Sequence, residues 1–283
     1  MADAIAFHKM NGLGNEIVVV DLRGRSHLFS SAQVRAIAAE EQSAFDQMMV
    51  LYAPRTAGCE AYVRIYNRDG SEAEACGNGM RCVGFLAARQ SGRRAFAFET
   101  KVGVCEVEVE GIDRISVDMG TPKFGWADIP LAEPVPDTRR IALEPEPNGT
   151  PLLHAAAVVN VGNPHAVFWV ADVGAHDLGR VGPLLENHPI FPQRANISLA
   201  QVTSPAAISV RTWERGAGLT KACGSAACAA AVCAARAGLT GRRVTATLPG
   251  GALAIAWRAD DHILMTGPVV VERVGVLAAE AAG

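Results

Sequence analysis

The chain contains a version of itself. VRIYNRDGSEAEACGNGMRC at 63–82 and VRTWERGAGLTKACGSAAC at 210–228 align without a gap at an offset of 147 residues. Val63/Val210, Arg64/Arg211, Arg68/Arg215, Ala75/Ala222, Cys76/Cys223, Gly77/Gly224 and Ala87-Ala88-Arg89/Ala234-Ala235-Arg236 are identical pairs. A second match, Asn11-Gly-Leu-Gly-Asn15 against Asn160-Val-Gly-Asn163, has an offset of 148, so a one-residue indel intervenes. A duplicated chain is expected to fold as two related halves. Their two cysteines are then expected on opposite sides of one central cleft.

At 283 residues the chain is long enough for two domains, each with its own core. Apolar residues make up 49% and charged ones 19%, the balance of a soluble globular protein. The net charge of -3 gives no reason to expect nucleic acid or an anionic membrane as partner. MADAIAFHKMNG has no basic segment followed by an apolar one, and the longest apolar run, Ala226 to Ala235, is about half a membrane span. The cytoplasm is the expected location. Seven cysteines, an odd number without a signal peptide, argue for free thiols over a disulfide framework. No metal is expected, because no CxxC pair exists and His165 is the one histidine near a motif of interest. Pro122, Pro130, Pro134, Pro136, Pro145, Pro147 and Pro151 crowd into thirty residues, the best candidate for a domain junction.

Each half opens with a Gly-Asn turn beside a strand-like run, Ile17–Val20 and Ala166–Val170. Strand-like segments Ala61–Tyr66 and Ala207–Trp213 precede the cysteines. After Cys76, Met80, Val83 and Ala87 recur at helical spacing, and Gly92 is the stop. After Cys223, Ala226 to Ala237 is apolar on nearly every face, so this helix is expected to be enclosed, with Gly238 as its stop. Short strands follow at Ala95–Thr100, Val104–Val109, Arg114–Met119, Val244–Leu248 and Leu253–Trp257. The expected fold class is α+β: two pseudo-symmetric domains, each a curved sheet wrapped around a central helix.

Cys76-Gly77-Asn78 and Cys223-Gly224-Ser225 each open a helix. A helix start leaves backbone N–H groups without partners and carries partial positive charge, which suits a substrate carboxylate and favours a thiolate. A free cysteine titrates near 8.5, so thiol and thiolate are both accessible. One thiolate can remove a proton from one face of a carbon while the other thiol returns one to the opposite face, inverting the centre. Cys59, Cys82, Cys105, Cys228 and Cys233 read as small buried hydrophobes. Asn15 and Asn163, beside glycine, also suit a turn.

These residues resemble the diaminopimelate epimerase family over nearly the whole chain. The resemblance includes MNGLGNEIVVVD (10–21), FDQ (45–47), NRDGSEAEACGNGMRC (67–82), NVGNPH (160–165), RANI (194–197) and ERGAGLTKACGSAAC (214–228). It implies two similar domains, each a mixed β-barrel around a central helix, with the final strand returning to the first. The halves would then be 1–121 plus 268–283, carrying Cys76, and 122–267, carrying Cys223. It implies interconversion of LL- and meso-2,6-diaminopimelate, in bacterial lysine and peptidoglycan precursor synthesis. It further implies that no cofactor, pyridoxal phosphate or metal takes part, and that the working form is a homodimer. Cys76 and Cys223 would be base and acid, with the backbone of Gly77-Asn78 and Gly224-Ser225 holding the reacting carboxylate. Asn15, Gln47, Asn67, Asn163, Asn196, Glu214 and Arg215 would hold the rest. His165, after Pro164, reads either as a group supporting a thiol or as a satisfied structural histidine. Glu214 and Arg215 offer one charge of each sign to the distal ammonium and carboxylate of such a substrate.

The sequence departs from the family pattern at Ser43-Ala44 before Phe45, at Ala226 where glycine is frequent, and at Leu219 and Lys221. None removes a catalytic group. The competing readings are another cofactor-independent racemase on the same fold, for proline, hydroxyproline or histidine; a non-catalytic binding protein; and a thiol redox sensor. The paired Glu214-Arg215 favours a substrate with a second amino-acid head.

Overall fold

The first half of the chain runs through ten elements, and the second half repeats their order. β1 (Ala6–Asn11), β2 (Glu16–Asp21), α1 (Ser31–Ala39), β3 (Gln47–Tyr52), β4 (Ala61–Asn67), β5 (Glu72–Ala73), α2 (Gly77–Ser91), β6 (Ala95–Thr100), β7 (Gly103–Gly111) and β8 (Arg114–Asp118) form the first set. β9 (Ala156–Asn160), β10 (Pro164–Trp169), α3 (Leu178–Glu186), β11 (Asn196–Ser204), β12 (Ala207–Glu214), β13 (Gly218–Thr220), α4 (Gly224–Arg236), β14 (Arg243–Leu248), β15 (Gly251–Trp257) and β16 (Ile263–Gly267) form the second, and β17 (Val270–Val276) is last. This is a computed structural model, and it describes residues 4–143, 153 and 155–277. Two compact units emerge: one runs to Asp118 and resumes at Thr266, and the other is Met119–Met265. Of the proline-rich stretch, Pro145, Pro147 and Pro151 lie outside the described residues.

The strand pairings repeat as well. In the first unit β1–β2, β3–β4, β4–β5, β6–β7 and β7–β8 are antiparallel, while β2–β3 and β4–β6 are parallel. In the second unit β9–β10, β11–β12, β12–β13 and β14–β15 are antiparallel, while β10–β11 and β12–β14 are parallel. Each parallel pair needs a crossover, and a helix supplies it: α1 and α2 in one unit, α3 and α4 in the other. β17 pairs antiparallel with β1 within the first unit.

Two helices per unit explain why several strands are apolar on both faces. In the first unit Val18, Val20, Met48 and Val50 join Val34, Ile37 and Ala38 of α1 in one core. The alternate residues Ile17, Val19, Met49 and Leu51 are equally buried, and α2 packs against β2, β3, β6, β7 and β8. In the second unit Ala166, Phe168, Ile197 and Leu199 share a core with Leu178, Val181 and Leu185 of α3. There α4 packs against β9, β10, β11, β12, β14 and β15, and ten of its thirteen residues are buried. α4 is therefore enclosed, as its all-apolar sequence predicts. The left-handed Gly92 (φ 70°) ends α2 at the predicted stop.

The sequence reading placed one helix in each half, whereas each unit has two. α1 begins with a capping box, Ser30 to Gln33. α3 escaped notice because Gly179, Gly182 and Pro183 all disfavour a helix. Gly182 is required there by a neighbour: a Cβ at that position would lie 2.5 Å from Cγ of Trp213.

Gly84 of α2 is similarly pressed, since an added Cβ would fall 2.4 Å from Cγ1 of Val107. Gly84→Ala gains about 1 kcal/mol of helix propensity and loses about 1–3 kcal/mol to overpacking against a stiff β-branched neighbour. A lowered urea midpoint is expected. A raised midpoint would show that α2 is not tightly enclosed at this turn.

Candidate active site

In the first unit the expected site residues gather at one end of the sheet. The antiparallel register sets Gln47, first in β3, opposite Asn67, last in β4. Gln47 Nε2 donates to Asn67 Oδ1 at 3.2 Å, and Asn67 Nδ2 donates to Ser71 Oγ at 3.0 Å. The β1–β2 turn comes to the same end through Asp46: Glu16 N donates to Asp46 Oδ2, and Asp46 N to Glu16 O, both at 2.9 Å. Leu13 (φ 63°) and Gly14 (φ 89°) are left-handed in this turn. Asn15 Oδ1 is buried without a hydrogen-bond partner, a costly arrangement. A Cβ on Gly12 would lie 3.2 Å from Cβ of the buried Asn78, so the turn rests on the start of α2.

Cys76 is the N-cap of α2, in extended conformation. Its Sγ accepts from the Gly79 N–H at 3.2 Å, and its carbonyl accepts from Met80 N at 2.9 Å, opening the helical ladder. The side chain is partly exposed. Gly77 and Asn78 form the first turn, where the helix end carries its partial positive charge.

The second unit builds the corresponding end with charged residues added. Cys223 is the N-cap of α4 and is buried. Burial, and then the Glu214 carboxylate, push its thiol well above its ordinary range. Hydrogen bonds from the Ser225 hydroxyl, 3.4 Å from Sγ, and from Ala226 N–H act the other way without overcoming them. Asn196, buried at the start of β11, donates through Nδ2 to Pro164 O at 3.0 Å and accepts from Arg215 N at 2.9 Å. Arg215 Nη1 donates to Gln193 O at 3.0 Å. Glu214 ends β12, and Gly224 and Ser225 open α4.

His165 is fully buried, with Nε2 2.7 Å from Asn163 Oδ1. Its Nδ1 has no hydrogen-bond partner, so the fitting tautomer is Nε2–H donating to Asn163. Burial, and then the Arg215 charge, lower its pKa to about 3, so the ring is neutral.

All seven cysteines are free. Cys82, Cys228 and Cys233 are buried, and Cys59 and Cys105 are partly so. Burial pushes Cys82, Cys105 and Cys233 up to about 12, which suits inert packing groups. Among the described residues no group of three or more His, Cys, Asp or Glu could hold a metal ion, and no helix is long and apolar enough to cross a membrane.

Two groups went unread in the sequence. Thr220 Oγ1, three residues before Cys223, is buried without a hydrogen-bond partner. Glu186 is buried at the end of α3 and accepts from Trp213 Nε1, Gly216 N and Arg194 Nη1. The repeat offset offered the one available signal, because it carries α1 onto α3 and the last residue of α1, Ala39, onto Glu186.

The family profile for diaminopimelate epimerase matches residues 7–125 and 157–272. The diaminopimelate epimerase of Brucella melitensis biotype 1 is 56% identical over 276 residues, 97% of this chain and 91% of the relative. The chain belongs to the diaminopimelate epimerase family. Its fold recurs at much lower identity. A predicted epimerase of Pseudomonas aeruginosa has a TM-score of 0.69 at 17% identity, covering 97% of this chain and 99% of that one. A hydroxyproline epimerase of Agrobacterium vitis, solved with trans-4-hydroxy-L-proline, has a TM-score of 0.70 at 13% identity, covering 98% and 93%. These two likenesses show the fold alone.

The neutral His165 gives this family member a testable pH response. The ring binds a proton at 6.5 when unfolded and only at about 3 when folded. The stability that goes with its neutrality is therefore complete above pH 6.5 and is lost as pH falls towards 3, by up to about 1.4 kcal/mol per pH unit. Wild type should lose stability over that window faster than His165→Gln. NMR titration of the ring near pH 6.5 would rule out the buried neutral state.

Proposed function

We propose that this protein is a diaminopimelate epimerase, interconverting the LL and meso forms of 2,6-diaminopimelate by proton transfer at one Cα between Cys76 and Cys223. The single observation that carries the reading is the pair of cysteines capping equivalent helices, α2 and α4, in a duplicated chain. Membership of the family, at 56% identity over 97% of the chain, supports it.

Burial favours the thiol form of Cys223, so this reading assigns the first base to Cys76, whose sulfur accepts the Gly79 N–H. Cys76 removes the Cα proton and becomes a thiol. Cys223 gives its proton to the opposite face and becomes the thiolate. One C–H bond breaks and one forms, and no net proton is consumed. The reverse reaction starts from the exchanged state. The backbone N–H groups of Gly77-Asn78 and Gly224-Ser225 hold the reacting carboxylate, where helix-end charge favours the anion. Arg215 grips the distal carboxylate and Glu214 the distal ammonium. The Asn15 oxygen accepts from a substrate ammonium, and Gln47, Asn67, Asn163 and Asn196 complete the polar lining. His165 holds Asn163 in place beneath them. We read the working form as a cytoplasmic homodimer with no cofactor. Seven free thiols suit a reducing compartment.

Incubation with LL-diaminopimelate in heavy water is expected to place deuterium at Cα of the meso product. Cys76→Ala and Cys223→Ala should each lower inversion by at least about 10²–10⁴-fold while substrate still binds. Unchanged inversion in either variant would remove the two-thiol mechanism. Deuterium appearing only in proline, hydroxyproline or histidine would move the substrate elsewhere. Sedimentation of the reduced protein should give twice the monomer mass.

A further inference from the structure

We propose that Glu186 is a positioning residue which fixes the Glu214–Arg215 loop before substrate arrives, and so sets how tightly the distal end of the substrate is held. This rests on the epimerase reading above for the identity of that substrate.

Glu186 is a carboxylate with a side chain only 6% exposed, and both of its oxygens are used by two separate segments. Oε1 accepts from Arg194 Nη1 and from the Gly216 backbone N–H, each at 3.0 Å. Oε2 accepts from Trp213 Nε1 at 2.7 Å. Trp213 and Gly216 bracket Glu214 and Arg215. Arg194 lies two residues before Asn196, whose side chain accepts from Arg215 N. One carboxylate thus ties the 193–196 segment to the 213–216 loop, at three points chosen from outside both.

The 193–196 segment is not relaxed on its own. Arg194 is a non-glycine residue at φ 59°, a conformation that persists only where the surroundings impose it. Gly216 supplies the left-handed turn of the other segment at φ 77° without strain. Trp213 also packs on Gly182, one turn back along α3 from Glu186, where a Cβ would collide with the indole. The whole loop is therefore referenced to α3. Charge-assisted bonds to a buried carboxylate are among the stronger ones available, and removing the acceptor leaves buried donors unmet.

The corresponding position in the first unit lacks the acid. The residue 147 positions earlier, also the last of its helix, is Ala39. The acid is present only in the half whose loop carries a charged pair. A loop already ordered loses less freedom on binding, and this advantage is felt equally by ground and transition states. It therefore appears in KM rather than kcat.

Glu186→Gln keeps the shape and one acceptor oxygen. It is expected to raise KM for diaminopimelate about tenfold or more, with kcat within about threefold of wild type. Arg194→Ala removes one donor from a half-exposed position, so it should fold and raise KM less, by about two- to fivefold. Hydrogen exchange at the Gly216 amide should quicken in both variants. Unchanged KM with unchanged exchange in Arg194→Ala and in folded Glu186→Gln overturns the proposal, as does a loss confined to kcat. If Glu186→Gln does not fold, Arg194→Ala decides alone. If wild type itself does not turn over diaminopimelate, the function reading falls, and the exchange rates still decide whether Glu186 positions the loop.

Discussion

A helix surrounded by strands must be narrow. Sheets can close around α4 because Ala226, Ala227, Ala229, Ala230, Ala231 and Ala234 present little more than a methyl group in every direction. Larger side chains would hold the strands off and open voids. The same requirement puts Gly79 and Gly84 on α2, against Met49 and Val107. Such a helix has no free flank for polar chemistry. What remains is its beginning, where backbone N–H groups lack partners within the helix. Both reactive cysteines proposed here occupy that position, at residues 76 and 223.

From this shared frame the halves have diverged. At the proposed site the first contributes neutral amides: Gln47 bonded to Asn67, and Asn15 with an unmet oxygen. The second places Glu214 and Arg215 there, with Asn196 bonded to the Arg215 backbone and a buried carboxylate beneath. The sulfurs differ too. Cys76 is partly exposed and accepts an N–H at 3.2 Å, whereas Cys223 is buried beside Glu214. Symmetry of backbone coexists with asymmetry of charge, which suits the proposed substrate, whose two amino-acid ends are alike in constitution but treated differently.

Much of this was legible because it is periodic or local. The strand at 95–100, the helix after each cysteine and the stop at Gly92 follow from spacing and from glycine chemistry. The cysteines stood out because the chain states them twice. α3 was hidden by Gly182 and Pro183, residues that oppose a helix locally and are tolerated because Trp213 packs over the gap. Glu186 was invisible for another reason. Its three donors are 8, 27 and 30 residues away, and nothing in the linear order announces that they meet.

The pairing of β1 with β17 has a consequence for how the molecule is made. During synthesis the second unit leaves the ribosome as one uninterrupted stretch, able to close on itself as soon as it is out. The first emerges earlier, yet one of its ladders joins Ala6 to Val276 and waits until the whole second unit has been translated. Until then β1 shows the nascent environment an unclaimed row of N–H and C=O groups, the part of this architecture most open to capture by the wrong strand.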